Sequence, residues 1–111
     1  LLEAEALMEL GVESRTRDLA FEKKTLIYLK EAYDLIEHET VNDITWKIGY
    51  EIGKEYSSRG LELKSKEFFV KAKHVLLYLG SLYTRNSLQE RFWESDNRGA
   101  VLKEIEALIE D

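Results

Sequence analysis

The stretch IGYEIGKEYSSRGLELKSKEFFVKA, Ile48 to Ala72, decides how the rest of the chain reads. It contains no proline and is rich in helix-forming lysine, glutamate and leucine. Yet Gly53 stands inside it, where glycine costs about 1 kcal/mol relative to alanine. Ser58, Arg59 and Gly60 divide it as a tight turn would, so two antiparallel helices are expected. A glycine facing the partner helix lets two helix axes approach closely. Ile52, Gly53 and Tyr56 on the first helix, and Ser65, Phe69, Ala72 and Val75 on the second, alternate small residues with large ones. That is what an interlocking pair needs.

The flanks extend this pattern. Upstream, Leu2 to Leu10 reads as a helix with Ala4, Leu7 and Met8 on one side, stopped by Gly11. A longer helix is expected from about Arg15 to His38, capped by Ser14 or Thr16. Its Leu19, Leu26, Leu29, Ala32, Tyr33 and Ile36 fit one face. Glu39 to Asn42 interrupt it, and Asn42 or Asp43 caps the next helix, which ends near Ser58. Beyond the turn, a helix runs from about Leu61 to Leu79 and stops at Gly80. Another lies between Leu82 and Trp93, although Ser87 and Glu90 have capping-box spacing that would start it later. Ser95 or Asp96 caps a final helix with an apolar stripe of Val101, Leu102, Ile105, Leu108 and Ile109. The expectation is an all-α chain, one domain over residues 1–111, with about six helices stacked as antiparallel hairpins.

The central hairpin resembles the tetratricopeptide repeat, a helix-turn-helix unit. At the positions that define that repeat stand Ile52, Gly53, Tyr56, Gly60, Ser65, Phe69 and Ala72. The family's leading tryptophan is replaced by Gly49, with Trp46 one turn earlier, and its closing proline by Leu77. The resemblance covers about residues 45–78. Upstream, Leu29, Tyr33 and Ile36 fit the second helix of an earlier unit, set thirty-six positions back. Residues 81–111 are similar to the ends of repeat arrays in large signalling proteins. There a bulky apolar pair, here Phe92 and Trp93, precedes a last helix that caps the stack. The resemblance implies a right-handed superhelix whose concave face holds partner peptides. Carried over, that face comprises Lys47, Tyr50, Lys54 and Ser57. These suit a segment that brings an apolar side chain and a carboxylate. The family's basic clamp for a C-terminal carboxylate is not matched, so that specificity is not implied.

Composition narrows the function classes. The net charge of −6 argues against direct nucleic-acid binding, which needs a basic footprint. No apolar run approaches a membrane span and no signal-peptide pattern is present, so a cytoplasmic setting is expected. The absence of cysteine removes disulfides and thiolate metal sites. His38 follows Asp34 at a ligand-like interval, but only two histidines exist, so a surface histidine is expected. The 22 acidic residues form no catalytic motif, and no phosphate-binding or nucleophile motif occurs. No enzyme, cofactor or metal is therefore expected. Arg59 to Lys73 holds five basic residues against two acidic ones. This reads as a solvated helix face or a contact for an acidic partner. The chain opens at Leu1 without methionine, which suggests a piece of a longer protein. The expected role is binding a protein or peptide, or regulating another domain of the same parent chain. A homodimerising structural bundle and the peptide-sensing half of a transcription regulator are the other expectations.

Overall fold

The computed structural model describes residues 2–14, 22–37 and 42–110. The chain order is α1 (Leu2–Ser14), α2 (Glu22–Ile36), α3 (Asp43–Ser58), α4 (Glu62–Ser81), α5 (Asn86–Glu94) and α6 (Arg98–Ile109). A single 3-10 turn, Ser95–Asn97, joins the last two without a loop. The fold is all-helical, with no strand among the described residues.

Local chemistry sets the ends of α3. The Ile44 N–H donates to Asn42 Oδ1 at 3.0 Å, and the Asn42 N–H donates to Thr45 Oγ1 at 3.4 Å. This reciprocal cap satisfies donors that a helix start leaves open. At the other end Gly60 takes φ +77, a left-handed conformation that a side chain disfavours. The Leu61 N–H then donates to the Tyr56 carbonyl at 2.9 Å, and the Gly60 N–H to the Ser57 carbonyl at 3.0 Å. The orphan carbonyls of the last turn are thereby used.

Gly53 faces the Phe69 ring across the α3–α4 pair. A Cβ there would lie 2.6 Å from Cε1 of the Phe69 ring. One turn along, the Ser65 hydroxyl donates to the Gly53 carbonyl at 2.8 Å, a buried bond. Gly49 faces Ala72 at ordinary contact distance. Contacts therefore advance along α3 as they retreat along α4, which makes the pair antiparallel.

Two apolar clusters meet on α3. Ala4, Leu29, Ala32 and Ile36 pack with Ile48, Ile52 and Tyr56 on one side. Trp46, Phe69, Ala72 and Leu76 pack with Ile105 of α6 on the other. The two hairpins share a buried series. Thr25, Leu29, Ala32 and Ile36 line α2 at the same intervals as Ser65, Phe69, Ala72 and Leu76 line α4, forty positions later. The upstream match expected at thirty-six positions is thus one turn out of register. Tyr33, which that match would set at Phe69, is half-buried and meets the Phe68 ring edge-on at 5.5 Å.

Several expected boundaries are corrected. Gly11 does not stop α1, which continues to Ser14. It is buried against α2, and a Cβ there would lie 3.0 Å from Leu29 Cγ. Gly80 lies inside α4 and is covered by the Trp93 indole. The expected second helix is described only from Glu22. Residues 15–21, with Thr16 and Leu19, and residues 38–41, with His38, lie outside the described residues. Helix α5 begins at Asn86, and its N-cap Arg85 makes no side-chain bond, so the Ser87–Glu90 box is not its cap. Helix α6 is preceded by Asn97, not capped by Ser95 or Asp96. Asp96 and Asn97 both take left-handed backbone, φ 52 and φ 58, which short polar side chains tolerate. On α6, Ile105 is buried, but Leu108 is 37% exposed and leaves the expected stripe.

Candidate partner-binding groove

The expected site residues start at the first turn of α3. Burial carries the Trp46 indole inward, and its N–H donates to Asp43 Oδ1. Asp43 also accepts from Arg98 through both oxygens, at 3.1 and 3.2 Å. Burial alone would raise the Asp43 carboxyl. Hydrogen bonds from Arg98 and Trp46, with the charges of Arg98 and Lys47, outweigh it and hold the group below the ordinary carboxylate range. The Arg98 guanidinium lies 4.5 Å from the centroid of the buried Phe92 ring and donates to the Phe92 carbonyl at 3.0 Å. One arginine therefore clasps the start of α6 and the end of α5 to the start of α3.

Lys47 is half-buried. Its ammonium lies 3.4 Å from Asp43 Oδ2 and 3.4 Å from Asp96 Oδ2. The Tyr50 hydroxyl donates to Glu104 Oε2 on α6 at 2.6 Å. Lys54 pairs with Glu51 at 2.9 Å, and its ammonium sits 4.5 Å from the Tyr50 ring centroid. Ser57 is half-buried near the end of the helix. Lys47, Tyr50 and Lys54 are thus brought together along one face, but each lysine already has a carboxylate from its own chain.

That face floors a cleft of about 340 Å³. Trp46, Lys47 and Tyr50 form its floor, Met8 and Val12 of α1 one wall, and Val101 of α6 the other. Lys54 and Ser57 do not line it. Its volume is at the low end of ligand clefts, and it is open to solvent, so it has room for one or two side chains of a bound segment. Spacing along α3 could indicate its own face. It gave no sign of Met8, Val12, Asp96 or Val101, which arrive from elsewhere in the chain. Composition also left unseen that Arg98 would reach Asp43 from 55 positions away.

The basic segment that begins at Arg59 is largely engaged as well. Lys71 lies 4.9 Å from the Phe68 ring and 3.6 Å from Glu67, and Lys64 lies 5.6 Å from the Tyr56 ring. Lys73 pairs with Glu106 of α6 at 3.5 Å. Among the described residues no group of three potential metal ligands is found, and no helix is long and apolar enough to cross a membrane. No family model, curated protein or solved structure matches the chain.

Proposed function

We propose that this chain is an interaction module of tetratricopeptide type, without enzymatic activity. In this reading its hairpins form the end of a right-handed superhelix, with a repeat unit over about 45–78 and a capping segment over about 81–111. It holds a segment of another protein, or of another domain of its parent chain, in a cytoplasmic setting. The observation that carries the reading is the cleft between α1, α3 and α6, where Trp46, Tyr50, Met8, Val12 and Val101 are joined by Lys47, Glu51, Asp96 and Asn97. Trp46 is only 3% exposed, so the accessible aromatic is Tyr50, and tyrosine is among the side chains that most often anchor a partner. The buried series repeated on α2 and α4 supports a stack of like units.

The test compares two faces. Tyr50→Ala with Met8→Ser strips the floor and one wall. Alanine at Lys64, Lys66, Lys71 and Lys73 strips the basic face of α4. Capture of partners from the native extract should be lost with the first set and kept with the second, at unchanged helical circular dichroism. Loss only with the second set would place the surface on α4 and defeat the groove reading.

One observation favours a second reading, self-association as a structural bundle. Leu77, Tyr78, Leu82, Tyr83 and Leu88 are all 40% exposed or more and close in sequence, from the end of α4 to the start of α5. Exposed apolar side chains gathered in one patch are a contact surface in many proteins. Sedimentation of the Leu82→Ser, Tyr83→Ser variant against wild type would separate a dimer from a monomer.

A further inference from the structure

The sequence offers Lys47 and Lys54 to a carboxylate-bearing partner, but the folded chain engages both. Lys47 is held between Asp43 and Asp96, and Lys54 lies on Glu51. A ligand carboxylate entering here would have to compete with these acids at close range. It would also meet Glu104, whose carboxylate points at the Tyr50 hydroxyl. Glu5 and Glu9 stand exposed on α1, beside Met8 and Val12 in helical order. Acids therefore outnumber bases around the apolar floor, and like charges this close disfavour an anion.

A cation instead meets a surplus of carboxylates, although Asp96 is itself shared between Lys47 at 3.4 Å and Arg98 at 3.6 Å. Even so, 54% of the Asp96 side chain stays exposed, against 14% for Glu51. The Tyr50 ring already accepts one ammonium, that of Lys54 at 4.5 Å from its centroid. The face of an aromatic ring attracts lysine and arginine through its quadrupole. We infer that the groove takes a cationic amphipathic segment, a stretch in which lysine or arginine neighbours aliphatic or aromatic side chains. This rests on the groove reading above and gives it a partner chemistry. The apolar side chains fill the cleft against Trp46, Met8 and Val101. The cationic ones meet Asp96, Glu104 and the glutamates of α1.

The experiment selects binders from a random-sequence peptide library displayed on phage, with the whole chain as bait. Selected peptides are then measured by fluorescence anisotropy. The expected winners carry net positive charge with interspersed apolar residues, and they lose affinity as salt rises. Glu51→Gln with Asp96→Asn should weaken them by about tenfold, because two nearby charges are removed. Lys54→Gln should tighten them, because Glu51 and the Tyr50 ring are released. Tyr50→Ala and Val101→Trp, each checked for retained helicity, should abolish binding. Winners with net negative charge that Lys54→Gln weakens would overturn the inference and leave the groove reading standing. Winners indifferent to both Tyr50→Ala and Val101→Trp would overturn the two together.

Discussion

The α1–α2 hairpin brings Gly11 against Leu29, and the α3–α4 hairpin brings Gly53 against Phe69. The plugs differ in shape, and so does the room left opposite them. A Cβ at Gly11 would lie 3.0 Å from a leucine carbon, whereas at Gly53 it would lie 2.6 Å from an aromatic one. The neighbours also differ in kind: at Gly53 they are Phe69 ring atoms alone, while at Gly11 the Thr25 carbonyl oxygen would lie 3.1 Å from the added carbon. The two hairpins also differ in how they are covered. Helix α3 closes the first through the cluster of Leu29, Ile48 and Ile52. Helix α6 closes the second through Ile105, but adds Arg98–Asp43, Tyr50–Glu104 and Lys73–Glu106 around that apolar centre.

The largest effect should come from the plugs. Phe69→Ala should destabilise by about 3–5 kcal/mol, from lost burial and the cavity left between α3, α4 and α6. Leu29→Ala should fall lower within the range of about 2–5 kcal/mol for aliphatic truncation. Urea melts of both variants measure the order. A larger cost at Leu29 would mean that the aromatic plug is not the stronger of the two. The glycines come next. Gly53→Ala gains about 1 kcal/mol of helix propensity but meets the ring, and overpacking typically costs about 1–3 kcal/mol. The net should be destabilising. At Gly11 the same gain faces a slightly longer contact, but one that includes the Thr25 carbonyl oxygen at 3.1 Å, so Gly11→Ala should also destabilise, by less than Gly53→Ala. Equal costs at both positions would break the comparison.

These glycines also show what could be read in advance. The cap at Asn42 and the turn at Gly60 were legible, because their chemistry is contained within a few residues. The close contact at Gly53 was legible, because Phe69 lies just across a short turn. Gly11 and Gly80 were misread as helix stops. A glycine that ends a helix and one that admits a neighbouring side chain look alike in sequence. What distinguishes them here is Leu29 and Trp93, whose positions only the fold supplies. The rest of the groove's lining is hidden from the sequence for the same reason. The tyrosine and lysines of α3 were identifiable by spacing, but Asp96 and Glu104 reach them from 49 and 54 positions away. The charge of the groove is thus a property of the stacked chain, not of its central helix.

The clasp that distinguishes the second hairpin can be tested by pH. Burial pushes the Asp43 carboxyl up, but the hydrogen bonds and charges of Arg98, Trp46 and Lys47 bring it below its ordinary value. A carboxyl whose folded pKa is depressed stabilises the fold above its unfolded pKa, about 3.9. That contribution is lost as pH falls through the folded value. Asp43→Asn should therefore flatten part of the acid-side loss of stability seen in wild type below about pH 4. At neutral pH, Arg98→Ala should cost about 1 kcal/mol, because the pair is charge-assisted but its carboxylate is partly solvated. Parallel denaturant melts from about pH 3 to about pH 7 give both numbers. Identical acid limbs in wild type and Asp43→Asn would remove Asp43 from the clasp.

The smallest change is a single oxygen. Tyr50→Phe keeps the ring on the cleft floor and its tilted contact with Phe69, at 6.2 Å between centroids. It removes only the hydroxyl that donates to Glu104 at an exposed site. A net hydrogen bond contributes about 0.5–1.5 kcal/mol, and an exposed one sits at the low end because water replaces it. Stability should therefore fall by about 0.5 kcal/mol. Helix α6 should stay in place, because Ile105 holds it from within the apolar cluster. Peptide binding should survive in Tyr50→Phe and fail in Tyr50→Ala, since the ring rather than the oxygen floors the groove. Hydrogen exchange along α6 is the decisive measurement. Protection lost across the whole helix in Tyr50→Phe would show that polar contacts, not the apolar centre, secure α6. The second hairpin would then be closed by a different principle from the first.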